Sequence, residues 1–194
     1  MREAEIERRT GETRVQVVLN LDGSGRSDID TGVGFFDHML ELFCRHGFMD
    51  LKVKAEGDTQ VDFHHTVEDT GIVLGQALSK ALGDRSGIRR YSTAFTPMDE
   101  SLSMVALDIS GRPYLHYNVG FTSERVGDFD LELVEEFLRA FAVKGGLTLH
   151  IELLHGSNNH HIAESIFKGL GRVLDEAALK EERIKGVLST KGVL

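Results

Sequence analysis

The chain has 194 residues, of which 41% are apolar and 27% charged, with a formal net charge of −9. This length fits one domain or two small fused halves. The acidic balance, without any run of Lys and Arg, argues against nucleic acid as a partner. No window approaches the roughly eighteen continuous apolar residues of a membrane span, and the start lacks an apolar signal segment. We therefore expect a cytoplasmic protein that does not contact a membrane.

The first half of the chain predicts strands alternating with amphipathic helices. Apolar residues alternate from Val15 to Leu21 and again over 51–55, which predicts two strands. Residues 36–43 and 67–82 carry helical apolar spacing. We predict the order strand, strand, helix, strand, strand, helix.

The second half repeats this order. Residues 101–109 and 147–153 are strand-like, whereas 134–141 and 162–179 have helical spacing. The stretch 121–130 has no counterpart in the first half and is predicted to be a surface loop.

These patterns predict an α+β fold made of two internally duplicated halves. The break falls near Gly87, which gives a first repeat half at 1–90 and a second at 91–194. The chain has two prolines and no flexible linker between the halves. We therefore expect the halves to share one core as a single structural domain.

The pattern His-His-x-x-Glu occurs twice. The copies are His64, His65 and Glu68, and His160, His161 and Glu164. On a helix, residues three and four apart share a face, so each copy places imidazole and carboxylate together. A single copy could be a surface accident, but identical internal spacing in both halves indicates a metal-binding surface.

One further ligand is expected from the first helix of each half. When these helices are overlaid, His38 falls opposite Glu136. With the two His-His-x-x-Glu copies this makes eight protein groups, which suits two metal ions with about four protein ligands each. A set of imidazole and carboxylate without thiolate suits Mn, Fe, Zn or Co, and Mn²⁺ is our first choice.

The whole chain resembles the imidazoleglycerol-phosphate dehydratase family of histidine biosynthesis. The matching segments are Arg9 to Thr13, Leu21 to Gly25, Phe36 to Leu40, His64 to Asp69, Pro97 to Glu100, Ser110 to Tyr114, His160 to Lys168 and Ser189 to Leu194. The resemblance implies four helices packed between two β-sheets. It also implies Mn²⁺ dependence and a homo-oligomer of 24 subunits with active sites between chains.

The resemblance leaves the division of the metal ligands open. Many relatives carry His where this chain has Glu136, and glutamate can also bind Mn²⁺. Our preferred sets are His38, His65, Glu68 and His161 for one metal ion, and His64, Glu136, His160 and Glu164 for the other.

The resemblance also implies a reaction and its general base. Water would be removed from imidazole glycerol phosphate, a small phosphorylated substrate, to give imidazole acetol phosphate. Glu12 is the first candidate for a base that also contacts the substrate, and Glu164 is the alternative. Asp99 is expected to orient the substrate. From position alone, Glu12 reads as a strand-edge charge and Asp99 as a turn residue.

The substrate phosphate needs cations. The resemblance assigns this role to Arg90, Arg112, Lys168, Ser189 and Lys191, whose guanidinium, ammonium and hydroxyl groups suit phosphate oxygens. From sequence alone, a frayed tail is the favoured interpretation of Ser189 to Lys191.

Two other functions fit parts of the pattern. A non-catalytic assembly protein could use the paired His-His-x-x-Glu faces to clamp subunits together, but it would need no separate set of cations. A dinuclear phosphatase-like hydrolase would be expected to have Asp-rich ligands, which this chain lacks.

Overall fold

Within residues 2–194, which the computed structural model describes, the chain forms ten strands and four helices. In chain order they are β1 Glu3–Arg9, β2 Thr13–Asn20, β3 Ser27–Asp30, α1 Gly34–His46, β4 Asp50–Gly57, α2 His64–Leu82, β5 Tyr91–Met98, β6 Ser101–Asp108, β7 Tyr114–Asn118, β8 Arg125–Val126, β9 Phe129–Asp130, α3 Glu132–Gly145, β10 Thr148–His155 and α4 Asn159–Ala178.

The strands form two four-stranded sheets with the same topology. The first has the order β1-β2-β4-β3 and the second β5-β6-β10-β7. In each sheet the last strand pairs in parallel and the other pairs are antiparallel. Equivalent pairings place Leu19 opposite Leu51 and Leu107 opposite Leu149. The duplication predicted from the sequence is therefore present in the register of the strands.

The helices lie between the two sheets. Helix α2 packs on the first sheet and on α3, and α4 packs on the second sheet and on α1. The predicted apolar faces of α2 and α4 are buried, as expected for helices covered on both sides. Their buried residues include Leu74, Ala77, Leu78, Ala81, Leu170, Val173, Leu174 and Ala177. The predicted α+β fold with four helices between two sheets is confirmed.

Glycines let the helices cross closely at equivalent points. A Cβ at Gly75 in α2 would lie 2.7 Å from the Phe141 carbonyl oxygen in α3. The equivalent crossing brings Gly171 in α4 against the Phe43 carbonyl oxygen in α1, where a Cβ would overlap the oxygen. These crossings bring α2 against α3 and α4 against α1. The first helix of each half therefore lies against the last helix of the other half.

The predicted order of elements within each half is wrong. In the first half three strands, not two, precede the first helix, and in the second half five do, counting the β8–β9 hairpin. In each half one strand, not two, follows the first helix. The third strand of the first half, β3, has four mostly exposed residues and no apolar alternation. It is held by parallel pairing with β4, which local sequence does not reveal.

Two other boundaries differ from the prediction. Helices α2 and α4 begin at His64 and Asn159, about one turn before the predicted starts, so the His pairs lie inside the helices. The stretch 121–130 is not simply a surface loop, because it contains the β8–β9 hairpin, and Phe129 is 1% exposed. Its ring packs against Phe35 and Phe36 of α1. Among the described helices, none has the length and apolar character needed to cross a bilayer.

Candidate active site

The first centre lies where α1 packs against α4. His38 Nε2 and His160 Nε2 each lie 3.1 Å from Glu164 Oε1. The potential ligand atoms of these three residues all lie within 4.8 Å of one another. Two imidazoles and one carboxylate at this spacing form a donor set that fits Mn, Fe, Zn or Co.

The start of α4 fixes two members of this centre. The Asn158 side chain caps the helix by accepting hydrogen bonds from the backbone N–H groups of His160 and His161. The His pair therefore occupies the first turn, and Glu164 follows His160 by one turn on the same face. The cap and the helical spacing together position the imidazole and the carboxylate.

Glu164 is nearly buried and strongly hydrogen-bonded. Its residue exposure is 8%, and Lys168 Nζ donates to Oε2 at 2.6 Å. Burial raises the pKa of the Glu164 carboxyl, but the hydrogen bonds from Lys168 and His38 outweigh it and hold the pKa at about 2. Glu164 is therefore a carboxylate at neutral pH.

The His-His-x-x-Glu copy of the first half, on α2, is more open than the copy on α4. His64 Nε2 lies 3.8 Å from Glu68 Oε2 on α2. Glu136 lies on α3, the helix that packs against α2, in the position that His38 has on α1. Among residues 2–194, one group of potential ligands meets the 4.8 Å spacing, and Glu136 is outside it.

The preferred division of ligands differs from this geometry. It assigned His38 to one metal ion and both His160 and Glu164 to the other, whereas the structure brings these three residues together. The contact depends on how α1 packs against α4, which the spacing of residues along the chain does not encode.

The second imidazole of each pair is held by a carboxylate from a neighbouring loop. His65 Nδ1 lies 3.1 Å from both carboxylate oxygens of Asp58, and His161 Nδ1 lies 2.7 Å from Glu100 Oε2. These hydrogen bonds raise the pKa of both His65 and His161. Because each carboxylate accepts from Nδ1, the Nε2 atom of each ring is left for another ligand.

Glu12 and Asp99, the two acids expected to act on the substrate, lie beside His65 and His161. Glu12 Oε2 is 3.9 Å from His65 Nδ1, and its side chain is 58% exposed. Asp99 Oδ2 is 3.9 Å from His161 Nε2, and its side chain is 72% exposed. Each acid thus lies beside the second imidazole of a His pair, but Glu12 is near Nδ1 of His65 and Asp99 is near Nε2 of His161.

Sequence reasoning missed Asp58 and Glu100. Glu100 is the repeat counterpart of Glu12, because each immediately precedes the second strand of its half. Its carboxylate accepts hydrogen bonds from the backbone N–H groups of Ser157 and Asn158 as well as from His161. The hydrogen bond from His161 is the largest cause of its lowered pKa. Aligning the strands of the two halves, rather than the His pairs alone, could have identified Glu100.

A separate cationic pocket of about 670 Å³ lies beside the C-terminal tail. Arg90, Arg112, Ser189 and Lys191 line it, in agreement with their expected grouping. Arg183 and Lys185, which sequence reasoning did not select, add two further cations to the same wall. Lys168 is absent from this wall and lies instead at the first centre, with Nζ also 3.1 Å from Met98 Sδ.

Arg90 connects the tail to the second sheet. Its guanidinium donates to both carboxylate oxygens of Asp108, at 2.7 and 3.0 Å, and to the Leu188 carbonyl oxygen at 2.7 Å. The pairing with Asp108 raises the pKa of Arg90. The residue is buried and has a positive φ of 76°. Arg90 therefore holds Leu188, and with it the segment that leads to Ser189 and Lys191, at the edge of the pocket.

The fold and the site together define an internally duplicated α+β protein with a His/Glu centre and a separate cationic pocket. The family model of imidazoleglycerol-phosphate dehydratase matches residues 31–174. The chain is 61% identical to the imidazoleglycerol-phosphate dehydratase of Caldanaerobacter subterraneus subsp. tengcongensis over 194 residues, which covers 100% of both chains. It is 58% identical to that of Acetivibrio thermocellus over 193 residues, covering 100% of this chain and 99% of the relative.

Solved structures of the same family share the fold. The crystal structure of imidazoleglycerol-phosphate dehydratase from Staphylococcus aureus has a TM-score of 0.84 and 43% identity, covering 92% of this chain and 99% of that chain. The structure from Pyrococcus furiosus has a TM-score of 0.85 and 37% identity, covering 97% and 100%. The chain belongs to the imidazoleglycerol-phosphate dehydratase family.

Proposed function

We propose that this chain removes water from imidazole glycerol phosphate to give imidazole acetol phosphate in histidine biosynthesis. The observation that carries the proposal is the centre of His38, His160 and Glu164 in a full-length member of this family. Such a centre can bind an imidazole-type substrate through a metal ion, and the cationic pocket can bind a phosphate.

The proposed cofactor is Mn²⁺, with two ions in each active site. The ligands of one ion include His38, His160 and Glu164, whose donor atoms already converge. A bound divalent ion would polarise the imidazole ring of the substrate and stabilise the negative charge that develops on it when the side-chain proton leaves.

The second ion would be held by the equivalent group of the other helix pair. His64 and Glu68 lie on α2, and Glu136 lies on the adjoining α3. This grouping of metal ligands differs from the grouping expected from the sequence. It follows the internal repeat, because His38 and Glu136 occupy equivalent helix positions. A carboxylate at Glu136 would favour a hard divalent ion such as Mn²⁺.

The remaining imidazoles support sharing of ligands between copies of the chain. His65 and His161 have their Nδ1 atoms tied to Asp58 and Glu100, which leaves Nε2 free for a metal ion. Each three-ligand group would be completed by such an imidazole from another subunit. A closed homo-oligomer of 24 subunits, with active sites between chains, is the proposed assembly.

Glu12 is the proposed general base. Among the described residues, none donates a hydrogen bond to its carboxylate, so the lone pairs are available for a substrate proton. Glu164 is less suited, because Lys168, His38 and His160 already contact its oxygens. Asp99 is exposed near His161 and is proposed to orient the substrate.

The cationic pocket is the proposed phosphate site. Arg112 and Lys191 supply charge, and Ser189 supplies a neutral donor. Arg90 contributes by holding the tail in place, in addition to its own charge. Lys168 would act at the metal end, where its ammonium group neutralises the Glu164 carboxylate.

A turnover assay tests this function against that of a non-catalytic metal-dependent assembly protein. The purified protein with added Mn²⁺ should convert imidazole glycerol phosphate to a product lighter by one water, detected by mass spectrometry. Chelated protein should lose the activity and regain it when Mn²⁺ is restored. A correctly assembled, metal-loaded protein without turnover would support the assembly role, although that role has no use for the cationic pocket.

A further inference from the structure

Glu12 lies in a short bend that has few contacts of its own. Residues 10–12 join β1 to β2, and the Glu12 side chain extends into solvent beside His65. A base must be held within hydrogen-bond reach of the proton that it removes. Some other group must therefore restrict this bend.

A chain of hydrogen bonds connects the Glu12 backbone to helix α2. The Glu12 N–H donates to Thr10 Oγ1 at 3.1 Å, and Thr10 Oγ1 lies 3.2 Å from Thr13 Oγ1. Thr13 Oγ1 in turn donates to Asp69 Oδ2. Thr13 and Asp69 are buried and Thr10 is half-buried, so the inner end of this chain is shielded from competing water, whereas its Glu12 end is exposed.

The direction of each hydrogen bond follows from Asp69. A carboxylate only accepts, so the single hydroxyl proton of Thr13 is used there. The lone pairs of Thr13 Oγ1 then accept the proton of Thr10, whose own lone pairs accept the N–H groups of Glu12 and Thr13. Arg8 Nε donates to the other oxygen of Asp69 at 3.0 Å and balances its charge.

The second half lacks this chain. The helix position equivalent to Asp69 is Ser165, whose hydroxyl donates to the Ile162 carbonyl oxygen of its own helix. There the Glu100 carboxylate itself holds the loop by accepting from Ser157 and Asn158. In the first half, Thr10, Thr13 and Asp69 hold the bend instead. The Glu12 carboxylate is not needed for this purpose and remains free.

We infer that Asp69, acting through Thr13 and Thr10, is a positioning residue that fixes Glu12 for proton transfer. The inference rests on the proposed role of Glu12 as the base. Asp69 lies one turn after His65 on α2, so the same helix places both an expected metal ligand and the bend that carries the base.

The first test removes the hydroxyl of Thr10, which lies outside the helices that carry the metal ligands. Thr10→Val should lower kcat by about ten- to a hundredfold, because a small displacement of the base is costly. KM, metal content and Tm should stay close to those of the unmodified enzyme. Thr10→Ser restores the hydroxyl and should restore kcat. Thr93→Val, at an exposed threonine of β5, is the matched control and should leave kcat unchanged.

A double-mutant cycle separates positioning from a general structural role. In a Glu12→Gln background, Thr10→Val should produce no further loss of the residual turnover, because the group that it positions is gone. An unchanged kcat for Thr10→Val, or an equal loss in both backgrounds, would overturn the inference while leaving the base role of Glu12 intact. Full activity of Glu12→Gln would overturn the base role, and the positioning role with it.

Discussion

His38 and Glu164 lie 126 residues apart in the chain, yet His38 Nε2 is 3.1 Å from Glu164 Oε1. His38 belongs to the first half and Glu164 to the second, so this centre is built from both repeats. The close crossing of Gly171 with the Phe43 carbonyl oxygen brings their helices together. Packing between the halves is therefore a condition for the donor set to exist.

This relationship predicts a specific effect of Gly171→Ala. The added methyl group would overlap the Phe43 carbonyl oxygen and force α1 away from α4. We expect a loss of about 1–3 kcal/mol in the free energy of unfolding, as for other overpacked interiors. Metal affinity should also fall, because His38 moves from Glu164. Chemical denaturation and metal titration measure the two effects.

Gly34→Ala is the matched control for this substitution. Gly34 lies in α1, the helix that Gly171 of α4 crosses, but a Cβ at Gly34 would meet no atom within 4 Å. The stability and metal affinity of the Gly34→Ala variant should be at least those of the unmodified protein, since Ala favours helix. Equal losses in both variants would show that the crossing at Gly171 does not set the geometry of the centre.

The His/Glu pattern could be predicted from the sequence because the spacing of His160 and Glu164 is local and helical. The contribution of His38 to the same group could not be predicted, because it depends on the crossing of two helices from different halves. The difference in hydrogen bonding between Glu12 and its repeat counterpart Glu100 was also missed. It depends on which backbone N–H groups each carboxylate meets, and adjoining loops determine this.

The contact between Lys168 and Glu164 was not predicted from the sequence either. The family resemblance implies a phosphate contact for Lys168, and within the chain it lies on α4 one turn after Glu164 and donates to that carboxylate. Similarly, Phe129 looked like part of a surface loop because its partners, Phe35 and Phe36, lie far away in the chain. In both cases the sequence shows the chemical type of the side chain, and tertiary packing selects its partner.

Removal of metal should reduce the size of the assembly. If Nε2 of His65 or His161 completes a metal site on another subunit, these bonds link the chains. Sedimentation of EDTA-treated protein should show a smaller species, and added Mn²⁺ should restore the original size. A particle of unchanged size after verified metal loss would contradict metal as the assembly device.

Glu12→Gln should retain metal and substrate binding but lose most turnover. The amide keeps the shape of the side chain and cannot accept a proton at neutral pH. We therefore expect a large fall in kcat with little change in KM or metal content. A kcat near that of the unmodified enzyme would transfer the base role to Glu164.

Changes at the tail should weaken phosphate binding selectively. Lys191→Ala, and deletion from Ser189 onward, each remove a cation from the pocket beside Arg112. A charge-assisted contact contributes roughly 1.5–3 kcal/mol, so KM should rise on the order of 10- to 100-fold while metal content stays the same. The Arg90 contact with the Leu188 carbonyl oxygen lies outside the deleted segment, so the remaining tail should keep its path.

The control for the tail variants is a lysine far from the pocket. Lys52 pairs with Asp28 on the first sheet, with 3.0 Å between Nζ and Oδ2, and Lys52→Ala should leave KM unchanged. Competition with a phosphate-bearing inhibitor and with its phosphate-free analogue identifies the group affected. The tail variants should bind the first more weakly and the second normally. Unchanged affinity for the phosphate-bearing inhibitor would exclude the tail from the phosphate site and leave Arg90, Arg112, Arg183 and Lys185 to form it.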